Sequence, residues 1–454
     1  MFHRRLMILT AMVFLMTGFA RAAESTWLAG VSREIITPQT SVWLAGYGSK
    51  RAPEGKLHDL WMKALALQAP DGTKAILITS DFQGVPKVMS DRVFARVNDK
   101  FKLKRAQIMV TFSHNHCGPR LGDDLIDYYP VDAEQVRLVE QYTDLMVEKM
   151  VDLVGRALAD LKPAKLQQGE GRATFAVNRR NNKEADVPAM LAKGEALKGP
   201  VDHSVPVMKV SRPDGSIAAI LFGYACHPTT LSFTKWCGDY PGFAQIAIEK
   251  KYPGSTAMFV NTCGGDQNPL PRRTVELCEK YGYMLAEGVF GAMNGSFRPV
   301  APSMKLAFEL VQLPYEKVMT ADDLRPLTKD TNAIKQRWAN RMLAHLEAGG
   351  KFLPHYPYPL HVWKLGDDTT MIGMGAETVV DYALRFKAAY GKGTWVLGYT
   401  DDMISYIPSR RVWAEGGYEG GWNLYEYGRP ALRWDGKIEE IIAGKIDRMI
   451  SDLK

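Results

Sequence analysis

Ala106-Gln107-Ile108-Met109-Val110-Thr111-Phe112-Ser113-His114-Asn115-His116-Cys117-Gly118-Pro119 joins an apolar run to two histidines two positions apart, then to a Gly-Pro pair. The run at 107–111 is short and unbroken, the pattern of a buried strand. Positions i and i+2 of a strand face the same side. The two imidazoles are therefore expected to project together from the strand end, where Gly118-Pro119 turns the chain away. Imidazoles paired on one rigid face suit a metal or acid–base work, the bland alternative being two satisfied surface histidines.

Working outward, strand-like runs at 64–68, 75–80, 107–111, 207–211, 217–224, 257–261, 371–374 and 394–398 alternate with helix-like runs at 87–98, 133–161, 244–251, 274–293, 332–348, 379–389 and 438–453. That alternation gives an α/β class. The polar stretch 177–200 reads as an excursion or flap over the sheet, 319–326 as a charged linker into a helical insertion, and 416–428 as a long Tyr- and Gly-rich loop. No internal repeat, low-complexity tract or domain boundary stands out.

The N-terminus has the form of an export signal. His3, Arg4 and Arg5 precede the apolar stretch 6–19, and Ala20-Arg21-Ala22 offers a cleavage site. The expected organisation is a signal peptide over 1–22 and a single domain over 23–454, working outside the cytoplasm in the periplasm or as a secreted protein. With 46% hydrophobic and 24% charged residues the chain can bury a large core. Its net charge of +7 comes from scattered lysines and arginines. That pattern argues against a nucleic-acid partner and favours anionic surfaces or substrates. The five cysteines, Cys117, Cys226, Cys237, Cys263 and Cys278, contain no CxxC, so a structural cysteine-type zinc site is not expected. Three of them (117, 226 and 263) fall in the motifs that carry chemistry. Packing is the simple reading for those three, and a disulfide between two of them is the sharper one.

Four further motifs carry chemical side chains. Ile220-Leu221-Phe222-Gly223-Tyr224-Ala225-Cys226-His227-Pro228 is again a strand that ends in histidine and proline. Asn261-Thr262-Cys263-Gly264-Gly265-Asp266-Gln267-Asn268-Pro269 is a Gly-Gly-Asp turn after a short strand. Its glycines let a ligand approach or leave N–H groups free as oxyanion donors; a tight polar turn without a ligand is the alternative. Glu377, between an apolar strand and a helix start, is the best carboxylate to complete a metal site, although an acid there also favours the helix dipole. Tyr399-Thr400-Asp401-Asp402 and Tyr406-Ile407-Pro408 follow. The two aspartates read as solvated loop acids, and Tyr406 as a packing aromatic beside a proline.

The order strand–HxH–GP, strand–HPT, strand–GGD, GxE, Tyr-Ile-Pro resembles the neutral/alkaline ceramidase family in its N-terminal catalytic domain, from Ala29-Gly30-Val31 to the Tyr406 region. The resemblance implies layered mixed β-sheets flanked by helices, and a single zinc held by His114, His227, Glu377 and Tyr406. It places His116 beside the metal, facing substrate or oxyanion, and Arg179 on substrate polar groups; the bland reading of Arg179 is a surface cation in a basic loop. Two departures stand out. Asn268 occupies the place of a family serine proposed to help catalysis, and the chain ends at Lys454 with no room for the family's C-terminal immunoglobulin-like domain. Asn268 can donate a hydrogen bond but is no nucleophile, so a zinc-hydroxide attack survives the change and a serine mechanism does not.

The expectation is thus an exported zinc-dependent hydrolase that cleaves an amide bond, in an N-acyl lipid such as ceramide or in an N-acylated amino sugar. His116, Arg179, Asn268 and the N–H groups near Gly264-Gly265 would serve substrate and oxyanion. Peripheral contact with a membrane surface fits a lipid substrate. Ester or glycan cleavage on the same site, and a secreted binding protein without catalysis, are the rivals. A metallo-β-lactamase fold would want HxHxDH, and an amidohydrolase barrel would want more downstream ligands.

Overall fold

A computed structural model describes residues 26–453; the expected export signal at 1–22 lies outside the described residues. In chain order the strands are β1 Trp27–Ile35, β2 Trp61–Gln68, β3 Lys74–Ser80, β4 Ile108–Phe112, β5 Lys162–Arg172, β6 Ala176–Asn178, β7 Ser204–Ser211, β8 Ile217–Tyr224 and β9 Thr256–Asn261. They continue with β10 Gln267–Pro269, β11 Arg298–Val300, β12 Met304–Pro314, β13 His355–Leu365, β14 Thr369–Met374, β15 Glu377–Thr378, β16 Thr394–Leu397 and β17 Tyr406–Ile407. The helices are α1 Lys87–Phe101, α2 Ala133–Ala159, α3 Val187–Ala192, α4 Asp239–Lys251, α5 Val275–Asn294, α6 Ala321–Leu327, α7 Ala333–Glu347, α8 Val380–Tyr390, α9 Arg410–Glu415 and α10 Ile438–Asp452.

Two sheets lie face to face between two helical layers. The larger runs β4-β3-β2-β1-β5-β7-β8-β9, with β11 beside β5; the smaller runs β12-β13-β14-β16. One face of the large sheet (Ile76, Ile78, Val110, Ile220, Phe259) packs on α1, α2, α4 and α5. Its other face (Leu65, Leu77, Met109, Leu221, Met258) meets Trp363, Leu365, Met371 and Trp395 of the small sheet. The far side of the small sheet is covered by α8 and α10. This explains why β2, β3 and β8 read as nearly unbroken apolar runs: alternate residues enter two different cores.

Pairing is antiparallel except at β3–β4, β8–β9 and β14–β16, which are parallel, as is the short β15–β17 pair. Parallel neighbours need a crossover, and α1, α4 and α8 lie between the respective strands. Ligands in such units gather beyond the carboxyl ends of the strands, and every chemical motif of the sequence follows such an end. The two outer strands of the large sheet meet there, where Asn261 Nδ2 donates to Ser113 O at 2.9 Å.

Four sequence expectations need correction. The 11-residue strands β5, β12 and β13 are absent from the sequence-based set; β5 is polar, and β13 carries Pro357 and Pro359. Residues expected as a charged linker form α6, started by a capping box in which Thr320 and Asp323 bond each other's backbone N–H. The 177–200 excursion holds β6 and α3, and β6 pairs with β10. Helix α4 starts at Asp239, earlier than the sequence suggests, because Pro241 and Gly242 sit in its first turn, where no intrahelical N–H bond is lost. Among the described residues no helix is long and apolar enough to cross a membrane.

The packing of β5 on α5 gives a paired test. A Cβ on Gly171 would lie 1.8 Å from the Gly288 carbonyl oxygen, whereas one on Gly291 of α5 meets open space. Gly171→Ala should lower the unfolding free energy by about 2–3 kcal/mol. Gly291→Ala should raise it by about 0.5–1 kcal/mol through helix propensity. Denaturant titration measures both.

Candidate metal centre

Strand β4 ends at Phe112, two residues short of the first histidine. His114 has a left-handed backbone, φ 66°. The two histidines therefore do not share a strand face, as the sequence pattern suggested. They lie in a turn pinned by Ser113 N–H to Ser80 O (2.9 Å) and His114 N–H to Phe82 O (3.1 Å), and in that turn their Nε2 atoms come within 3.0 Å. The motif was legible and its local geometry was not, because the turn is set by the extension of β3 and not by β4.

Three motifs far along the chain converge on His114. His227 follows β8, and its Nε2 lies 2.8 Å from Glu377 Oε2; His114 Nε2 lies 3.2 Å from the same oxygen. The ligand atoms of His114, His227 and Glu377 all fall within 4.8 Å of one another. Glu377 opens β15 and Tyr406 opens β17, and the two are direct partners across that parallel pair. The Tyr406 hydroxyl reaches His227 Nε2 at 3.2 Å. His114, His227, Glu377 and Tyr406 are all buried.

His114 Nδ1 faces the Gln83 carbonyl at 2.8 Å, and His227 Nδ1 faces the Gly264 carbonyl at 2.7 Å. A carbonyl only accepts, so each Nδ1 carries the hydrogen and each Nε2 presents a lone pair. Two lone pairs and a carboxylate oxygen then face one another at hydrogen-bond distance. Such a contact is repulsive unless a cation or an extra proton stands in the middle. Burial, aided by the Arg179 charge, holds the His227 imidazole down at about 4, which disfavours the extra proton. Glu377 Oε2 lies against the Nε2 atoms of both rings. The Tyr427 hydroxyl donates to its other oxygen. Backbone or side-chain partners of this kind behind each ligand fix its orientation. This donor set, two imidazoles and a carboxylate with a phenol beside them, fits a divalent metal ion.

Arg179 is drawn into this site and is no surface cation. It donates from Nε to Glu419 Oε1 (2.6 Å), from Nη1 to Asn268 Oδ1 (3.2 Å) and from Nη2 to Tyr406 OH (2.9 Å). Asp266 anchors the neighbourhood. It accepts from Val380 N–H and Asn178 Nδ2, and its carbonyl accepts from Arg179 N–H. Gly264 and Gly265 are present but are not oxyanion donors: their N–H groups bond Thr262 O and Thr378 O. They are glycines because a Cβ would lie 2.7 Å from Cys226 N or from Glu377 O respectively. Asp401 and Asp402, read as solvated, are buried. Asp401 pairs with Arg105 (2.5 Å) and His361 (2.6 Å), and Asp402 accepts from Tyr356 OH (2.6 Å). Gln83, Glu419 and Tyr427 were missed from sequence. Tyr427 and Glu419 lie in the turn-rich 416–428 loop, and Gln83 acts through its backbone, which leaves no residue-type signal.

The chamber is nearly closed. His116 is part-buried, with its Nδ1 buried and unpartnered, and Tyr47 packs edge-on against it at 4.8 Å. Tyr418, 44% exposed, packs against Tyr406 at 5.2 Å. His116, Tyr47, Arg179 and Tyr418 thus connect the ligand cluster to solvent. A broad cleft of about 950 Å³ lined by Arg33, Arg156 and Arg212 shares no lining residue with it.

The model of the neutral/alkaline non-lysosomal ceramidase N-terminal region matches residues 27–281, more than half of the chain. The chain belongs to this family. A neutral ceramidase of Pseudomonas aeruginosa is 21% identical over 492 residues, covering 92% of this chain and 72% of that protein. The crystal structure of neutral ceramidase from Pseudomonas aeruginosa superposes with a TM-score of 0.68 at 18% identity, over 89% of this chain and 73% of the other. A ceramidase complexed with C2 gives the same score and identity. The layered α/β fold is thus that of a ceramidase, and family membership makes the protein a hydrolase.

In metal-free protein His227 should remain neutral, Nδ1-protonated, at pH 6. The folded ring titrates near 4 against 6.5 for the ordinary one. Its contribution to stability is therefore fully present above pH 6.5 and lost as pH falls toward 4. Nitrogen-15 shifts of labelled histidine check this, and an imidazolium at pH 6 would refute it.

Proposed function

We propose that this chain is an exported, zinc-dependent amidase that hydrolyses the amide bond of an N-acyl lipid of the ceramide type, with residues 23–454 acting as one catalytic domain. The carrying observation is the convergence of two imidazole lone pairs with the Glu377 carboxylate at the carboxyl ends of parallel strands. In this reading His114, His227, Glu377 and Tyr406 are the ligands. When bound, zinc supplies a Lewis acid and brings the pKa of water toward neutrality.

The protein's own groups then have defined tasks. Arg179, held by Glu419 and Asn268, aims its guanidinium at the Tyr406 side of the chamber, where it can bind a developing oxyanion. His116 is the least buried of the three site histidines, and burial holds its ring well below the usual value, so it is neutral at rest and must first take up a proton before passing it to the leaving amine. Asn268 accepts from Arg179 and positions it. Neither Asn268 nor another residue of the cluster has to serve as a nucleophile. The lipid class follows from what the Pseudomonas relatives are named for. An N-acylated amino sugar is the competing substrate.

Metal analysis of the purified protein should give about one zinc per chain, and His114→Ala should abolish it. Tyr427→Phe should weaken zinc binding by about 10–100-fold while leaving the fold intact. Wild-type protein without stoichiometric metal would overturn the metal reading.

Amine release should be seen from N-acylsphingosines and not from N-acetylhexosamines. Arg179→Ala should lower kcat/KM by about 10²–10³-fold at unchanged zinc content. Turnover of the sugars alone would replace the lipid by a glycan substrate, and turnover of neither would remove amide hydrolysis.

A further inference from the structure

All five cysteines are free and buried, Cys117, Cys226 and Cys263 of the motifs among them, so they are packing residues and form no disulfide. Glu426 is a buried group of another kind. It lies in the 416–428 loop, one residue before Tyr427, whose hydroxyl donates to Glu377. Glu426 Oε2 accepts from the Tyr418 hydroxyl (2.7 Å), and its Oε1 accepts from the Tyr425 hydroxyl (3.2 Å). Tyr418 is the 44% exposed ring that packs on Tyr406 at 5.2 Å, between the ligand cluster and solvent. The Glu426 carboxylate is thus set in the wall of the chamber mouth, where it is 9% exposed. A turn holds it there: Glu426 N–H donates to Asn423 O (2.9 Å), and Arg429 N–H donates to Leu424 O (3.0 Å). Tyr425 is fixed in turn by Asn332 Nδ2 (3.3 Å) at the start of α7.

The neighbouring acids all have cations. Glu419 pairs with Arg179 (2.6 Å) and Arg180 (2.7 Å), and Asp127 pairs with Arg341 of α7 (2.5 Å). Lys335 of α7 lies over the Tyr425 ring at 5.2 Å, but its ion pair is with Asp330 (3.5 Å). Among the described residues Glu426 has its two phenols and no ion pair. Burial pushes its carboxyl above the ordinary value, although both phenols pull it down. A carboxylate has about four lone-pair sites, and the phenols use two. A nearly buried acid in that state gains from any further donor brought to it.

An N-acyl lipid carries such donors on one half only. Its acyl chain is hydrocarbon, whereas an amino alcohol places hydroxyl groups close to the amide nitrogen. An anionic head would be repelled by the same carboxylate. We propose that Glu426 is a specificity-determining residue, which accepts a hydrogen bond from a hydroxyl on the amine half of the substrate. The proposal rests on the amidase reading above and narrows it: the preferred substrates are N-acyl amino alcohols, and N-acyl alkylamines are poor ones. Glu426 forms and breaks no covalent bond; it holds the leaving half in place while the chemistry proceeds at the ligand cluster.

The test compares two amides of one acyl length, one of a long-chain 2-amino-1,3-diol and one of an alkylamine of equal length. The purified protein should favour the diol amide in kcat/KM. Glu426→Gln should cut that preference about tenfold, through KM more than kcat, at wild-type zinc content. Glutamine keeps the shape of the side chain and removes its charge, so equal losses on both amides would mark a structural role and overturn the proposal. Calorimetric titration with the free amines, in short-chain form, reads the same contact without turnover. The amino diol should bind more tightly than the alkylamine, and Glu426→Gln should narrow that margin about tenfold. A margin that is absent, or equal in the two proteins, would overturn the proposal even where amides are cleaved. A margin that narrows as expected without amide cleavage would remove the amidase reading and leave Glu426 with its ligand.

Discussion

Two backbone carbonyls, those of Gln83 and Gly264, decide what the centre of this protein can hold. Each takes the Nδ1 hydrogen of a buried imidazole, and so each forces a lone pair inward toward the Glu377 carboxylate. Three acceptor atoms turned toward one another are unfavourable unless they enclose positive charge. Much of the surrounding structure maintains that arrangement. Gln83 follows β3, which pairs with the β4 that carries His114. Gly264 follows β9, which pairs with the β8 that carries His227. Each ring and the carbonyl that orients it therefore come from neighbouring strands of one parallel pair.

The third parallel pair, β14–β16, belongs to the other sheet and brings Glu377 across. The face-to-face packing of the sheets sets the distance between the histidines and their carboxylate. The registry is then locked by short links: β15 with β17, Thr262 with Leu397, Thr111 with Thr400. Left-handed backbones at His114, Ala376, Tyr399 and Asp401 cluster in these links. Strain of that kind persists only where the surroundings over-determine it. Asp266 fastens the remaining side. Burial raises its carboxyl to about 6, and its bonds to α8, β6 and Arg179 place the guanidinium over the ligand cluster. The Gly-Gly-Asp motif works as a clamp, not as a donor nest.

What the sequence disclosed, and what it concealed, follows from these same contacts. His114, His227 and Glu377 were legible because each stands just past an apolar strand, where a polar residue that can bind metal is conspicuous. Arg179 and Tyr406 are ordinary by local pattern, and only the ordered set of motifs singled them out. Glu419 and Tyr427 lie in a stretch that offers no periodicity, and their roles come from a fold-back that brings 416–428 over the site. Gln83 acts through its backbone, which no residue pattern reveals. In the fold, strands that enter two cores were plain. Strand β12 alternates poorly between exposed and buried, and β13 contains two prolines, which are features that normally argue against a strand. They are tolerated because eleven consecutive pairs join these two strands.

Charge balance connects the site to the kind of substrate it suits. On the proposed ligand set, a divalent ion with two neutral imidazoles, one carboxylate and one phenolate carries no net charge. Beside it Glu419 is shared by Arg179 (2.6 Å) and Arg180 (2.7 Å), and Glu415 pairs with Arg180 in turn (3.1 Å), so two guanidiniums balance two carboxylates. Burial pushes the free Tyr406 phenol well above its usual value while Arg179 pulls it back, so the same guanidinium that would meet an oxyanion also favours a phenolate at the ligand position. A closed, neutral chamber desolvates an uncharged amide at little cost, whereas an anionic substrate would have to find a countercharge already taken by Glu419. Asn268 keeps that balance. It adds no ionisable group, and its carbonyl steadies Arg179 in the one orientation that faces both Tyr406 and the space where an acyl oxygen would develop charge.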